Sequence, residues 1–139
     1  MVHETGPVEG GCLCGAVRYR IAGKPVLTEF CHCESCRRAS GAPIMAWAGF
    51  RRSDFALVTG EPSRFLSSEG VGRSFCGQCG TTLTYDNARF PDDIYIAIGS
   101  LDAPESMPPE RHIHAGERLS WLELADSLPH NQHFLADES

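Results

Sequence analysis

The sequence predicts a mainly β, single-domain fold organised by clusters of cysteine. Three observations predict it. Fourteen glycines and nine prolines in 139 residues call for many turns. The apolar stretches are short and alternate with the two-residue period of strands. Seven cysteines stand in three groups: Cys12 and Cys14; Cys31, Cys33 and Cys36; Cys76 and Cys79.

The elements follow in order. Residues 1–9 read as a flexible lead-in, 10–130 as the single domain and 131–139 as a tail. Val17, Tyr19 and Ile21 alternate with Arg18 and Arg20, which predicts a half-buried strand over Gly15–Ile21. After Gly23-Lys24-Pro25, Val26–Phe30 reads as a second strand leading into the middle cysteines. Glu34–Ser40 reads as one helical turn ended by Gly41. Pro43–Phe50 is apolar and of strand length, and Phe55–Val58 and Ser63–Ser67 flank the turn Thr59-Gly60-Glu61-Pro62. Gly72–Phe75 runs into Cys76, and Thr81–Tyr85 leaves Cys79. Ile94–Ile98 is apolar on both faces, which predicts a central strand. Residues 102–110, with Pro104, Pro108 and Pro109, read as a covering loop.

Charge and composition narrow the function. The chain is 42% hydrophobic and 22% charged, an ordinary globular balance. Its net charge is −6, and its basic residues form pairs such as Arg37-Arg38 and Arg51-Arg52 rather than runs. A nucleic-acid or membrane-surface partner is therefore not expected. The N-terminus lacks a signal-peptide pattern and no segment has the length of an apolar membrane span, so a cytoplasmic location is expected. In that reducing setting thiols stay free for metal, and an odd number of cysteines agrees with this.

Cys76-Gly77-Gln78-Cys79 has the spacing of a zinc knuckle, which supplies half a site. Cys12-Leu13-Cys14 is its natural complement, and joining the two would close a long loop. Cys31 and Cys33 share a face in an extended segment, and a turn at Glu34-Ser35 brings Cys36 to the same point. Four thiolates complete a closed structural zinc, whereas three leave a position for water or substrate. Two zinc ions per chain are therefore expected, one structural and one catalytic. The competing readings of the trio are a second structural zinc, completed by His32 or a distant histidine, and a redox dithiol at Cys33 and Cys36. Strand geometry turns His32 away from the metal. His112 and His114 share a strand face and read as structural; Trp47 and Trp121 read as core or pocket wall. Arg37 and Arg38 read either as a solvated face or as a clamp for a substrate carboxylate.

The segments Gly11–Tyr19, Cys31–Ala42 and Phe75–Thr81, with His112-Ile113, Trp121 and Asp126-Ser127-Leu128-Pro129, resemble the glutathione-dependent formaldehyde-activating enzyme family, which includes centromere protein V. The resemblance runs from about Gly10 to Pro129. It implies an Mss4-like fold of antiparallel sheets in a tent arrangement, stabilised by zinc. It implies structural zinc ligands at Cys12, Cys14, Cys76 and Cys79, and catalytic zinc ligands at Cys31, Cys33 and Cys36. It also implies carbon–sulfur lyase chemistry on thiol–aldehyde adducts, of the kind that joins formaldehyde and glutathione. The expected partner is a small thiol or its adduct, with His32 or a zinc-bound water moving the proton. The rival function is a non-enzymatic zinc module of the same fold that binds a protein.

Overall fold

Alternation along the first predicted strand sets the two-layer plan. Tyr19 and Ile21 are buried, while Arg18 and Arg20 face outwards and pair with Asp102 and Glu9. The computed structural model describes residues 7–133. Its elements are β1 (Val8–Gly11), β2 (Arg18–Ile21), β3 (Leu27–Cys31), α1 (Glu34–Ser40), β4 (Met45–Arg51), β5 (Phe55–Thr59), β6 (Ser63–Ser68), β7 (Val71–Phe75), β8 (Thr82–Asn87), β9 (Asp93–Ala97) and β10 (His112–Ile113). Single 3-10 turns cover Ile98–Ser100 and Pro104–Ser106. No helix among the described residues is long and apolar enough to cross a membrane.

The strands form two sheets. The smaller has the order β1-β2-β5, and the larger β10-β3-β4-β9-β8-β7-β6. All pairings are antiparallel except that of β10 with β3. The mainly β expectation holds. One boundary differs: Val8 and Glu9, read as lead-in, pair with Ile21 and Arg20 in β1. Residues 1–6 and 134–139 of the expected lead-in and tail lie outside the described residues.

The large sheet is buried on both faces at its centre, which explains the apolar character of β9, the fourth strand of seven. Ala48, Phe50, Leu83, Ile94 and Ile96 face the small sheet and pack with Val17, Tyr19 and Ile21. Each large side chain buried there contributes about 1.5–3 kcal/mol. The Tyr19 hydroxyl meets Ser100 Oγ at 2.6 Å, so this core holds no orphaned phenol. On the opposite face Trp47, Tyr95, Ala97 and Ile113 pack with Cys31 and Cys36. That second, smaller core carries the middle cysteines.

Candidate metal centre and active site

Cys12 and Cys14 lie on the loop after β1, and Cys76 and Cys79 on the turn between β7 and β8. Their four sulfurs come within 4.8 Å of one another. Cys12 Sγ is 3.6 Å from Cys14 Sγ, which is 3.8 Å from Cys76 Sγ. Backbone N–H groups point at the sulfurs: Val17 N donates to Cys12 Sγ at 3.2 Å, and Gln78 N to Cys76 Sγ at 3.3 Å. The Thr81 hydroxyl stands 3.2 Å from Cys79 Sγ. That contact, helped by the Thr81 backbone, brings the Cys79 thiol down to about 5. Such a group can hold a metal ion, and it ties the small sheet to the large one.

The middle cluster is built by the junction of β3 and α1. Cys31 ends the strand, Cys33 caps the helix, and Cys36 lies in its first turn. Cys36 N donates to Cys33 Sγ at 3.3 Å, so the cap of the helix is itself a sulfur of the cluster. Gly41, in the left-handed conformation with φ 72°, ends the helix by donating to Arg37 O. The three sulfurs lie within 4.8 Å, and among the described residues no fourth histidine, cysteine or carboxylate donor joins them at that range. The neighbouring Cys31 and Cys33 thiols bring the Cys36 thiol down to about 3, while burial works the other way. The same crowding pushes Cys31 up. One thiolate is easy here and the next is costly, a conflict that a bound cation would remove.

The trio opens on a cavity of about 50 Å³. Trp47, Tyr85 and Tyr95 form its aromatic wall, with Tyr85 and Tyr95 edge to face at 5.5 Å between centroids. Glu29, Arg73, Ile113 and His114 complete the lining. Glu29 is only 1% exposed. Arg111 Nε and Nη2 both donate to its Oε1, at 3.0 and 2.8 Å. Burial pushes its carboxyl up even so, outweighing Arg111. Arg73 Nη1 stands 3.6 Å from Cys36 Sγ, and its guanidinium lies 5.0 Å over the Tyr85 ring.

His32 turns away from the sulfurs and into a second cluster behind them. Its Nε2 meets His112 Nδ1 at 2.8 Å, and His112 Nε2 meets Asp126 Oδ2 at 3.1 Å. His112 Nε2–H donates to the Asp126 carboxylate, which leaves Nδ1 to accept from His32. The His130 ring stacks on His112 at 4.1 Å. Burial lowers the His32 imidazole to about 4, so it stays neutral. His32 points away from the sulfurs as strand geometry predicts and does not line the cavity, so of the two expected proton carriers, His32 and a zinc-bound water, the first is not in place there. His112 and His114 do not share a face either. The strand stops at Ile113 and His114 takes φ 53°, so His112 points back towards His32 while His114 lines the cavity.

Other expectations need correction. Neither Arg37 nor Arg38 lines the cavity, against the carboxylate clamp; Arg38 pairs with Glu34 at 2.8 Å on the helix surface, in keeping with the alternative of a solvated face. Trp121 is 70% exposed and belongs to no core, whereas Trp47 is pocket wall. Sequence reasoning missed Glu29, Arg73, Tyr85 and Tyr95. A signal for Glu29 existed, because the two-residue strand period puts it on the face of Cys31. Arg73 carried none, since only the sheet order brings β7 towards α1.

Comparison with known proteins agrees with this picture. The family model for the glutathione-dependent formaldehyde-activating enzyme matches residues 7–117. A Halomonas elongata protein, provisionally named as such an enzyme, is 29% identical over 126 residues, covering 84% of this chain and 80% of its own. An uncharacterized lyase of Schizosaccharomyces pombe is 33% identical over 85 residues, covering 60% of this chain and 61% of its own. A crystal structure of a Rhodobacter sphaeroides protein shares the fold with a TM-score of 0.58 at 23% identity, over 68% of this chain and 87% of that one. With three ordered cysteine clusters and a match over most of its length, the chain belongs to the glutathione-dependent formaldehyde-activating enzyme family.

Proposed function

We propose that the protein is a zinc-dependent carbon–sulfur lyase acting on adducts of a small thiol, glutathione or a relative of it, with an aldehyde. Cys12, Cys14, Cys76 and Cys79 hold a structural zinc; Cys31, Cys33 and Cys36 hold the catalytic one. The observation that carries this reading is the sulfur trio, which opens on a cavity and has no fourth side-chain donor among the described residues. The donor set suits the ion. Zinc–thiolate bonds of 2.3 Å in a tetrahedron set sulfurs about 3.8 Å apart. The edges of 3.6 and 3.8 Å in the four-sulfur group match that length.

A zinc ion at the trio would supply an electrophilic centre able to hold a thiol as its thiolate or polarise an aldehyde oxygen. The chain's own residues do the rest. The cavity of about 50 Å³ is more than a single water needs, so a small polar group fits beside the sulfurs. It admits the one-carbon end of an adduct next to the sulfurs. Trp47, Tyr85 and Tyr95 exclude bulk water from that end. Glu29 Oε2, free of the Arg111 donors that take Oε1, accepts the adduct hydroxyl and orients it. In the lyase direction the carbon–sulfur bond breaks, the hydroxyl proton passes to sulfur, and the carbon leaves as carbonyl; condensation is the reverse. A cytoplasmic setting, where thiols remain reduced, suits both substrate and ligands.

The test is Cys33→Ser with metal analysis and a screen of thiol–aldehyde adducts. Wild type should bind two zinc ions and turn over at least one adduct. The variant should bind one, keep its far-UV circular dichroism and lose turnover by at least about a hundredfold. An unfolded variant would make the trio structural. Two equally inert zinc ions with no turnover would favour the protein-binding module.

A further inference from the structure

The geometry points to Arg73 as the counter-ion and positioning residue of the three-sulfur centre, a role that rests on the metal reading of Cys31, Cys33 and Cys36. Arg73 is 7% exposed, a depth at which a guanidinium needs a partner. No carboxylate pairs with it among the described residues. Its Nε donates to Ser67 Oγ at 3.1 Å, its plane covers Tyr85 at 5.0 Å, and Nη1 stands 3.6 Å from Cys36 Sγ. The anion that answers this buried cation is therefore the sulfur cluster.

Strand register fixes the aim. Arg73 on β7 lies opposite Tyr85 on β8, so the guanidinium is laid across the ring towards α1. The hydroxyl on one side and the ring beneath leave it little freedom to swing away.

Charge explains the use. Three thiolates around a divalent ion leave a net charge of −1. A guanidinium against one of the sulfurs brings the centre to neutrality and lowers the cost of burying it. An N–H donor on a thiolate also draws electron density from sulfur, so the metal becomes a better acceptor for substrate. Three sulfur donors otherwise make a poor Lewis acid. Arg73 would offset that without occupying a coordination position.

The test uses the full chain loaded with cobalt(II), comparing wild type with Arg73→Met and Arg73→Lys. The four-sulfur site is the internal control for folding. Expected is a loss of at least tenfold in metal affinity at the three-sulfur site of Arg73→Met, with the control site unchanged and the sulfur-to-cobalt charge-transfer band displaced. Arg73→Lys, which keeps the charge, should regain most of that affinity. If Arg73→Met fails to fold, Arg73→Gln replaces it with the same expectation. Unchanged affinity and an unchanged band would overturn the inference. Equal damage from the lysine and the neutral variant would also overturn it, by showing packing rather than charge. A wild type that takes up one metal equivalent instead would sink the metal reading itself, an outcome distinct from either of these.

Discussion

Removing Arg111 while leaving Glu29 in place tests how the wall of the cavity is held. Arg111→Met keeps an apolar stem in the space of the old one but deletes both donors to Glu29 Oε1. The carboxyl is 1% exposed, so bulk water does not replace the lost donors to Oε1. It must then stay charged and unpaired, which costs about 3–5 kcal/mol, or take up a proton. Protonation sets a ceiling. Holding a carboxyl with an ordinary value near 4.3 protonated costs about 1.4 kcal/mol for each pH unit above that value. The ceiling is about 4 kcal/mol near pH 7.5 and about 2 kcal/mol near pH 6. The sign follows from a folded value raised above the unfolded one: the penalty is absent below the unfolded value and grows as pH rises through the folded value. The wild-type shift has the same direction, from burial, but Arg111 opposes it. Urea unfolding with zinc present, at these two pH values, measures the loss. Glu29→Gln combined with Arg111→Met removes the buried charge and should restore most of the stability. A loss below about 1 kcal/mol at both pH values would refute the reasoning, as would a double variant no better than Arg111→Met alone.

Two further substitutions separate the four-sulfur group from ordinary packing. Cys76→Ser removes a sulfur at the centre of that group, where Gln78 N and Cys79 N both donate to it. Because binding energy at a structural metal is folding energy, this variant should lose its cooperative melt and release zinc, and a folded variant with both metals retained would count against the assignment. Gly60 takes φ 74°, and a Cβ there would stand 2.0 Å from Ala16 O. Gly60→Ala should cost more than about 2 kcal/mol by denaturant titration, from the left-handed conformation plus the clash, and a neutral result would show that the β5–β6 turn relaxes freely.

The elements were legible because their signals are local. Glu34–Ser40 is helical and stops at Gly41 as expected, since a cap needs only neighbouring residues. Ile94–Ile98 is central in the sheet apart from its last residue, which begins a 3-10 turn. Its apolar run on both faces reports a double burial that no exposed strand would show. The histidines were misread for the opposite reason. Period-two reasoning put His112 and His114 on one face, but a two-residue strand and a left-handed His114 break the period. Arg37 and Arg38 drew attention by adjacency in sequence, yet their helix turns Cys36, not either guanidinium, towards the cavity.

By itself the amino-acid sequence determined the cysteine clusters, the short strands between them and the division of seven sulfurs into four and three. Ligand spacing within a cluster is a property of a few consecutive residues, so it needs no knowledge of the fold. Only the tertiary structure decided what surrounds the trio. Glu29, Arg73, Tyr85 and Tyr95 come from four different strands, and sheet order and register, which are set by long-range pairing, bring them to one cavity. The same long-range packing sent His32 to His112 and Asp126 instead of to the pocket, because a buried imidazole takes the nearest polar partner that the fold supplies.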